Sequence, residues 1–289
     1  MNEVSIYYKN KTKIIEELEK KDYIKTLESK SLIKKLSFSK DEYADIYFHT
    51  GSVDDKAIEM TKNVKKVIVS SYAARHELLV ESKVADDKVS VIYPSIEPSL
   101  EKPKSARIRF CEKHDIDPKR KILLFTAKNI KSGGIKEFIQ IVASLNYQNI
   151  QMIVASDAKQ IYNLKFQLSK FNFDDSLLLL EDYEDMDEVY LASDIFILPT
   201  YTSFFAPSIL KAMASKCAVF VSANNSAREV VDVFATMENP NDPSTAFKVD
   251  ALLSRKEDLK LIKKQNKKAA SEFTLEKNLE RLEEIIRSV

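Results

Sequence analysis

Apolar runs of strand length alternate with amphipathic stretches of helical period along nearly the whole chain. Such runs suit strands buried on both faces, and the helices between them can cover those faces, so the pattern predicts parallel sheets in α/β layers. In a first series, strands are expected over residues 5–8, 44–49, 66–70 and 88–93. One long helix is expected over 11–36, with apolar residues at Ile14, Ile15, Leu18, Ile24, Leu27 and Leu32, and shorter helices over 54–63 and 71–81. Asp54 or Asp55, and Ser71, suit the starts of the shorter two, because their side-chain oxygens can accept an orphan helix N–H. Residues 97–104 are polar, carry Pro98 and Pro103, and read as a linker. A second series follows, with strands over 121–127, 150–155, 177–180, 194–198 and 218–222. Its helices fall over 107–115, 134–145, 158–171, 186–192, 207–215, 227–231, 243–253, 256–272 and 275–289. The expected division is a short Rossmann-like domain, 1–98, and a second, 99–289, with the last helix placed to pack back on the first. Ligands of such sheets bind outside the carboxyl ends of the strands, so two facing halves would enclose a cleft.

Only three glycines occur, Gly51, Gly133 and Gly134, so no G-x-G-x-x-G or P-loop can be present. Any phosphate site must rely on helix N-termini, basic side chains or the Gly133-Gly134 pair. The 45 basic and 44 acidic residues leave a net charge of +1, which argues against a nucleic-acid partner. Cys111 and Cys217 are too few and too far apart for a disulfide framework or a cysteine-rich zinc site. Residues 1–19 contain no apolar core of a signal peptide, and no apolar run approaches a membrane span, so the expected location is the cytoplasm. The lysine-rich stretch 9–40 suggests peripheral contact with anionic lipid, but Glu16, Glu17, Glu19 and Asp22 dilute it, and an exposed helix face is the preferred reading. The acidic run 181–188 lacks EF-hand spacing and reads as a solvated loop.

Three ordered segments carry a resemblance. V-I-V-S-S-Y-A-A-R-H-E-L over 67–78, followed by V-S-V-I-Y-P-S-I-E over 89–97, is similar to a strand–Ser–helix and "V-I-x-P/N-G-I-D" pair. I-L-L-F-T-A-K-N-I-K-S-G-G over 122–134 is similar to a "strand–G-R-x4-K-G" loop. A-S-D-I-F-I-L-P-T over 192–200, with 203–214, 218–222 and Glu229, is similar to "A-D-x-F-x-x-P-S … E-x-F-G-x4-E-A-M-A … P-V-V-A-S … E". Together they resemble the retaining family-four glycosyltransferases (glycosyl transferases group 1) of the GT-B fold, with two Rossmann-like domains and a cleft between them.

The resemblance implies a nucleoside diphosphate sugar as donor substrate, no metal and no other cofactor. It places the donor at Lys128, Lys131, Gly133, Gly134, Asp157, Ser203, Phe204, Phe205, Ala206, Pro207, Ser208, Lys211 and Glu229. Lys128 stands where the family has a phosphate-binding arginine, and Lys131 lies two residues before the position of its lysine. The family's E-x7-E pair falls on Ser203 and Lys211, and its intervening glycine on Ala206. Ser203 can still bond a hydroxyl, whereas a lysine cannot accept from ribose. Lys211, read as a first-turn residue, would oppose its helix dipole. Phe204 and Phe205 suit either stacking on a sugar or base, or loop packing. His49 at a strand end is the catalytic candidate on the acceptor side, or else a histidine with a local hydrogen bond; His76 and His114 read as structural. Two functions remain open. One is transfer of a sugar to a glycan, lipid-linked or protein acceptor. The other is a catalytically inactive relative that binds or regulates a partner protein.

Overall fold

The computed structural model describes residues 3–27, 43–168 and 176–289. The chain divides into two compact units, one of residues 1–95 with 273–289 and one of residues 96–272.

The first unit opens with β1 (Val4–Tyr8), α1 (Lys13–Leu18) and β2 (Ile24–Thr26), then β3 (Ile46–Phe48), α2 (Asp55–Asn63), β4 (Lys66–Val69), α3 (Tyr72–Ser82) and β5 (Val89–Val91). Its sheet is wholly parallel, in the order β2-β1-β3-β4-β5. Side chains alternate across it, as the pleat requires. Ile6, Ile46 and Ile68 face a core shared with α1, while Tyr47, Val67, Val69 and Val89 join Leu78 of α3 on the other face. Asp54 and Ser71 cap α2 and α3, accepting from the Ala57 and Ala74 amides at 2.8 and 3.1 Å.

The expected helix over 11–36 is corrected. Within the described residues it stops at Leu18, and Ile24–Thr26 forms a parallel edge strand in register with Val4–Ile6. The reason is tertiary. Glu19 turns inward to accept from Tyr8 Oη at 2.6 Å, Thr26 Oγ1 at 2.8 Å and Lys11 Nζ at 2.5 Å. Those bonds hold the turn that brings β-branched Ile24 and Thr26 beside β1, and the pairing overrides helical period. The remainder of that stretch, like the end of the helix expected over 158–171, lies outside the described residues.

The second unit contains α4 (Pro103–Lys113), β6 (Lys121–Thr126), α5 (Ile135–Ala143), β7 (Ile150–Ser156), α6 (Ala158–Leu168), β8 (Leu177–Glu181), α7 (Met186–Ala192), β9 (Ile195–Leu198), α8 (Pro207–Ala214), β10 (Ala218–Ser222), β11 (Thr236–Met237), α9 (Ser244–Ser254) and α10 (Lys256–Ala270). The expected linker is partly helical, because Pro103 starts α4 at a first-turn position where its missing N–H costs nothing. The sheet is again parallel, ordered β11-β10-β9-β6-β7-β8. Residues 122–125 and 195–197 are fully buried at its centre. The expected short helix after β10 is a 3-10 turn over 226–230.

The last helix, α11 (Leu275–Arg287), belongs to the first unit, where Leu282 and Ile286 complete the core beside α1. Its Asn278 Nδ2 donates to the Tyr93 carbonyl at 2.9 Å, tying the helix to the chain just past β5.

Candidate nucleotide-sugar site

In the second unit the chain builds β6, β7 and β8 outward on one side, then returns to place β9 on the other side of β6. The crevice outside the carboxyl ends of β6 and β9 is therefore the topological switch point. A cavity of about 560 Å³ opens there. It is lined by Thr126 at the end of β6 and Ala127, Lys128, Asn129, Ser132 and Gly133 after it, by Leu198 at the end of β9 and Thr200 and Thr202 after it, by Phe204 to Ser208 at the start of α8, and by Tyr190.

Seven of the residues expected to hold the donor thus meet in one crevice: Lys128, Gly133, Phe204, Phe205, Ala206, Pro207 and Ser208. Pro207 is the first residue of α8, so the positive end of the helix dipole opens into the crevice. Lys128 is the one charged side chain among the described lining residues. Phe205 is buried in the wall, whereas Phe204 is half-exposed at 52% and available for stacking.

Six expected residues do not line the crevice. Lys131 is exposed on the same loop as Lys128. Gly134 serves packing: its φ is +85°, and a Cβ there would lie 1.8 Å from the Pro199 carbonyl oxygen, so only glycine lets this loop reach the end of β9. Asp157 acts on the loop from behind, accepting from the Gln160 amide and side chain. Gln160 in turn accepts from the Ile130 amide at 2.7 Å and donates to the Lys128 carbonyl at 3.0 Å. The Ser203 carbonyl accepts from the Ser226 amide and hydroxyl at 2.9 and 2.8 Å, while its side chain is exposed. Glu229 sits in the 3-10 turn and borders a separate depression with Val219 and Phe220.

Lys211 needs correction. It lies in the last turn of the eight-residue α8, where a cation is favourable to the helix dipole. The first-turn conflict expected from sequence does not arise.

Sequence reasoning passed over Asn225. This fully buried side chain donates to the Thr202 and Phe204 carbonyls at 2.9 and 2.7 Å, and accepts from the Ala206 and Ala227 amides at 3.3 and 3.0 Å. It fixes the loop that shapes the crevice and engages the amide just before α8. An asparagine between a strand and a turn was the available signal, since its side chain can bond nearby backbone. Tyr201 adds a second tie, donating to the buried Glu137 at 2.9 Å while its amide bonds the Ser132 carbonyl.

Elsewhere, His49 is buried, with Nδ1 3.0 Å from Tyr47 Oη. Burial holds its pKa below the ordinary value. That is the arrangement of the locally bonded histidine. In the acidic run, Glu188 departs from the solvated-loop expectation: it is buried, accepting from Arg109 at 2.6 Å and Tyr183 at 2.7 Å. Among the described residues no group of three His, Cys, Asp or Glu could hold a metal ion, and no helix is long and apolar enough to cross a membrane.

A parallel sheet of this order, with the start of α8 and the loop after β6 meeting at its switch point, matches the architecture of sugar-transferring GT-B proteins. The chain belongs to the glycosyl transferases group 1 family, whose model matches residues 107–269, more than half of its length. No curated protein sequence matches it. Among solved structures it is similar to a glycosyltransferase from Rickettsia africae, at 18% identity and TM-score 0.73, over 84% of this chain and 70% of the other. It is also similar to HepE from Anabaena in complex with UDP-glucose, at 14% identity and TM-score 0.71, over 84% of this chain and 72% of the other. The lipopolysaccharide glycosyltransferase WaaG aligns over 98% of this chain and 99% of its own, at 11% identity and TM-score 0.71. These likenesses establish the two-domain GT-B fold.

Proposed function

We propose that the chain transfers a sugar from a nucleoside diphosphate sugar to an acceptor hydroxyl. The observation that carries this is the convergence of Lys128 and the start of α8 on the crevice at the β6/β9 switch point. The diphosphate lies against the α8 N-terminus with the Lys128 ammonium beside it, and these charges stabilise the nucleotide as it leaves. Phe204 offers a face to the sugar or base. No metal takes part in this reading.

Thermal shift with UDP, GDP and their sugars tests it. A nucleotide at a hundred times its dissociation constant stabilises the fold by about 2.7 kcal/mol. Lys128→Ala is expected to weaken that nucleotide by about tenfold, the loss of one charge-assisted contact of roughly 1.4 kcal/mol. Absence of stabilisation by every nucleotide at millimolar concentration would sink the proposal.

One observation favours the second reading, a binding protein that no longer catalyses. The described lining of the crevice holds no carboxylate to accept from ribose, and Asn225 already engages the Ala206 amide. Binding without any release of UDP or GDP from the sugar nucleotide, even over long incubation, selects this reading over the first.

A further inference from the structure

The first unit carries a pocket of its own. Its sheet order, β2-β1-β3-β4-β5, puts a switch point between β1 and β3. A cavity of about 560 Å³ opens outside their carboxyl ends, lined among others by Tyr7, Lys9, Tyr47, His49, Asp54 and Lys56. The Tyr7 and Tyr47 rings lie 5.7 Å apart, and Lys56 Nζ stands 5.6 Å from the Tyr7 ring centroid.

We propose that this pocket binds a sugar ring bearing one acidic group, with the ring against Tyr7 and the acid between Lys9 and Lys56. Aromatic faces suit the C–H face of a pyranose, because both are apolar surfaces edged by polar groups. The charge argument is separate. Among the described residues neither Lys9 nor Lys56 has an acidic partner. Among the described lining residues Asp54 is the one carboxylate, and its Oδ1 accepts from the Ala57 amide as the cap of α2. Burial holds the pKa of His49 below its ordinary value, and its Nδ1 lies 3.0 Å from Tyr47 Oη, so it adds no charge to this wall at neutral pH. Lys9 and Lys56 against Asp54 leave the described wall with one net positive charge, which a carboxylate or phosphate on the sugar would neutralise. That this sugar is the acceptor rests on the transferase reading; that the pocket binds it does not.

Saturation-transfer NMR and calorimetry on the full chain, without nucleotide, test the proposal. The probes are methyl glycosides of glucose, galactose and mannose, each neutral, as the 6-carboxylate and as the 6-phosphate. At least one acidic probe is expected to bind about tenfold tighter than its neutral parent. Lys56→Gln and Lys9→Gln, both at exposed positions, are expected to bring that preference below about threefold, and Tyr7→Ala to weaken neutral and acidic forms alike. Whether the carboxylate or phosphate series shows the preference identifies the acid. Equal affinity for neutral and acidic probes, no binding by any probe, or a preference that survives both lysine substitutions overturns the proposal. Nucleotide thermal shifts on the same sample report separately on the transferase reading, so the two failures are distinguishable.

Discussion

Asp194, just before β9 and 6% exposed, holds three groups of the second unit together. Its Oδ2 accepts from Arg107 at 3.0 Å and the Ile122 amide at 3.1 Å, and its Oδ1 from Lys263 at 2.9 Å. Burial works to raise its pKa, but Lys263 and Arg107 together hold the carboxyl below its ordinary value. Asp194→Asn leaves two cations facing a neutral amide, and urea unfolding is expected to show a loss of about 3–5 kcal/mol. Gly134→Ala is the other sharp case. It forces both a positive φ and a collision with Pro199, at an expected cost of about 1–3 kcal/mol or more, with the loop carrying Lys128 displaced. Chemical shifts of residues 126–133 that stay unchanged in this variant would refute that displacement. At this scale Lys128, Gly133 and the Phe204–Ser208 stretch were legible, because a strand end, a basic residue and a helix start are local signals. Asn225 was not, because three of its four partners, at Thr202, Phe204 and Ala206, come from a loop some twenty residues away.

Among elements, α11 shows how a remote segment completes a core. Leu282 is fully buried and Ile286 nearly so, both against residues from β1, β3 and α1. Leu282→Ala is expected to cost about 2–5 kcal/mol through lost burial and the cavity left behind. Chemical denaturation measures it, and a change under about 1 kcal/mol would show that α11 is peripheral. The helix itself was expected over 275–289, and the structure adds its cap: Thr274 Oγ1 accepts from the Lys277 amide at 3.4 Å. β2 was not readable. Residues 24–26 share helical spacing with their neighbours, and only the exposed edge of β1 makes them a strand.

Over the whole molecule, acid titration has one sign. Burial first of all depresses the pKa of His49 and of His114, so each resists protonation in the folded state. Their stabilisation is complete above the ordinary value of 6.5 and is lost as pH falls below it. Glu19 is held at about 2, chiefly by its bonds to Lys11 and Tyr8. Asp45 and Asp194 are also depressed, by bonds and charges that outweigh burial. These carboxylates contribute above their ordinary range near 4 and lose that contribution as pH falls toward their folded values. The melting temperature is therefore expected to be level between pH 7 and 8, to decline below about 6.5, and to fall more steeply below about 4. Circular dichroism melts across this range check it, and a melting temperature that rises from pH 7 to 5 would contradict it.

The amino-acid sequence by itself determined the parallel α/β layers, the positions of most strands and helices, and the caps at Ser71 and at Asp54 or Asp55. These follow from periodicity and from contacts only a few residues apart. The family frame came separately, from the resemblance of three ordered segments. The tertiary structure alone decided that Ile24–Thr26 is a strand, that Glu188 is buried, that Lys211 agrees with its helix dipole, and that Lys128 meets the start of α8 while Glu229 turns elsewhere. The reason is the same each time. Edge pairing, burial of a charge, helix length and the convergence of loops at a switch point all depend on partners brought together only when the sheet is assembled.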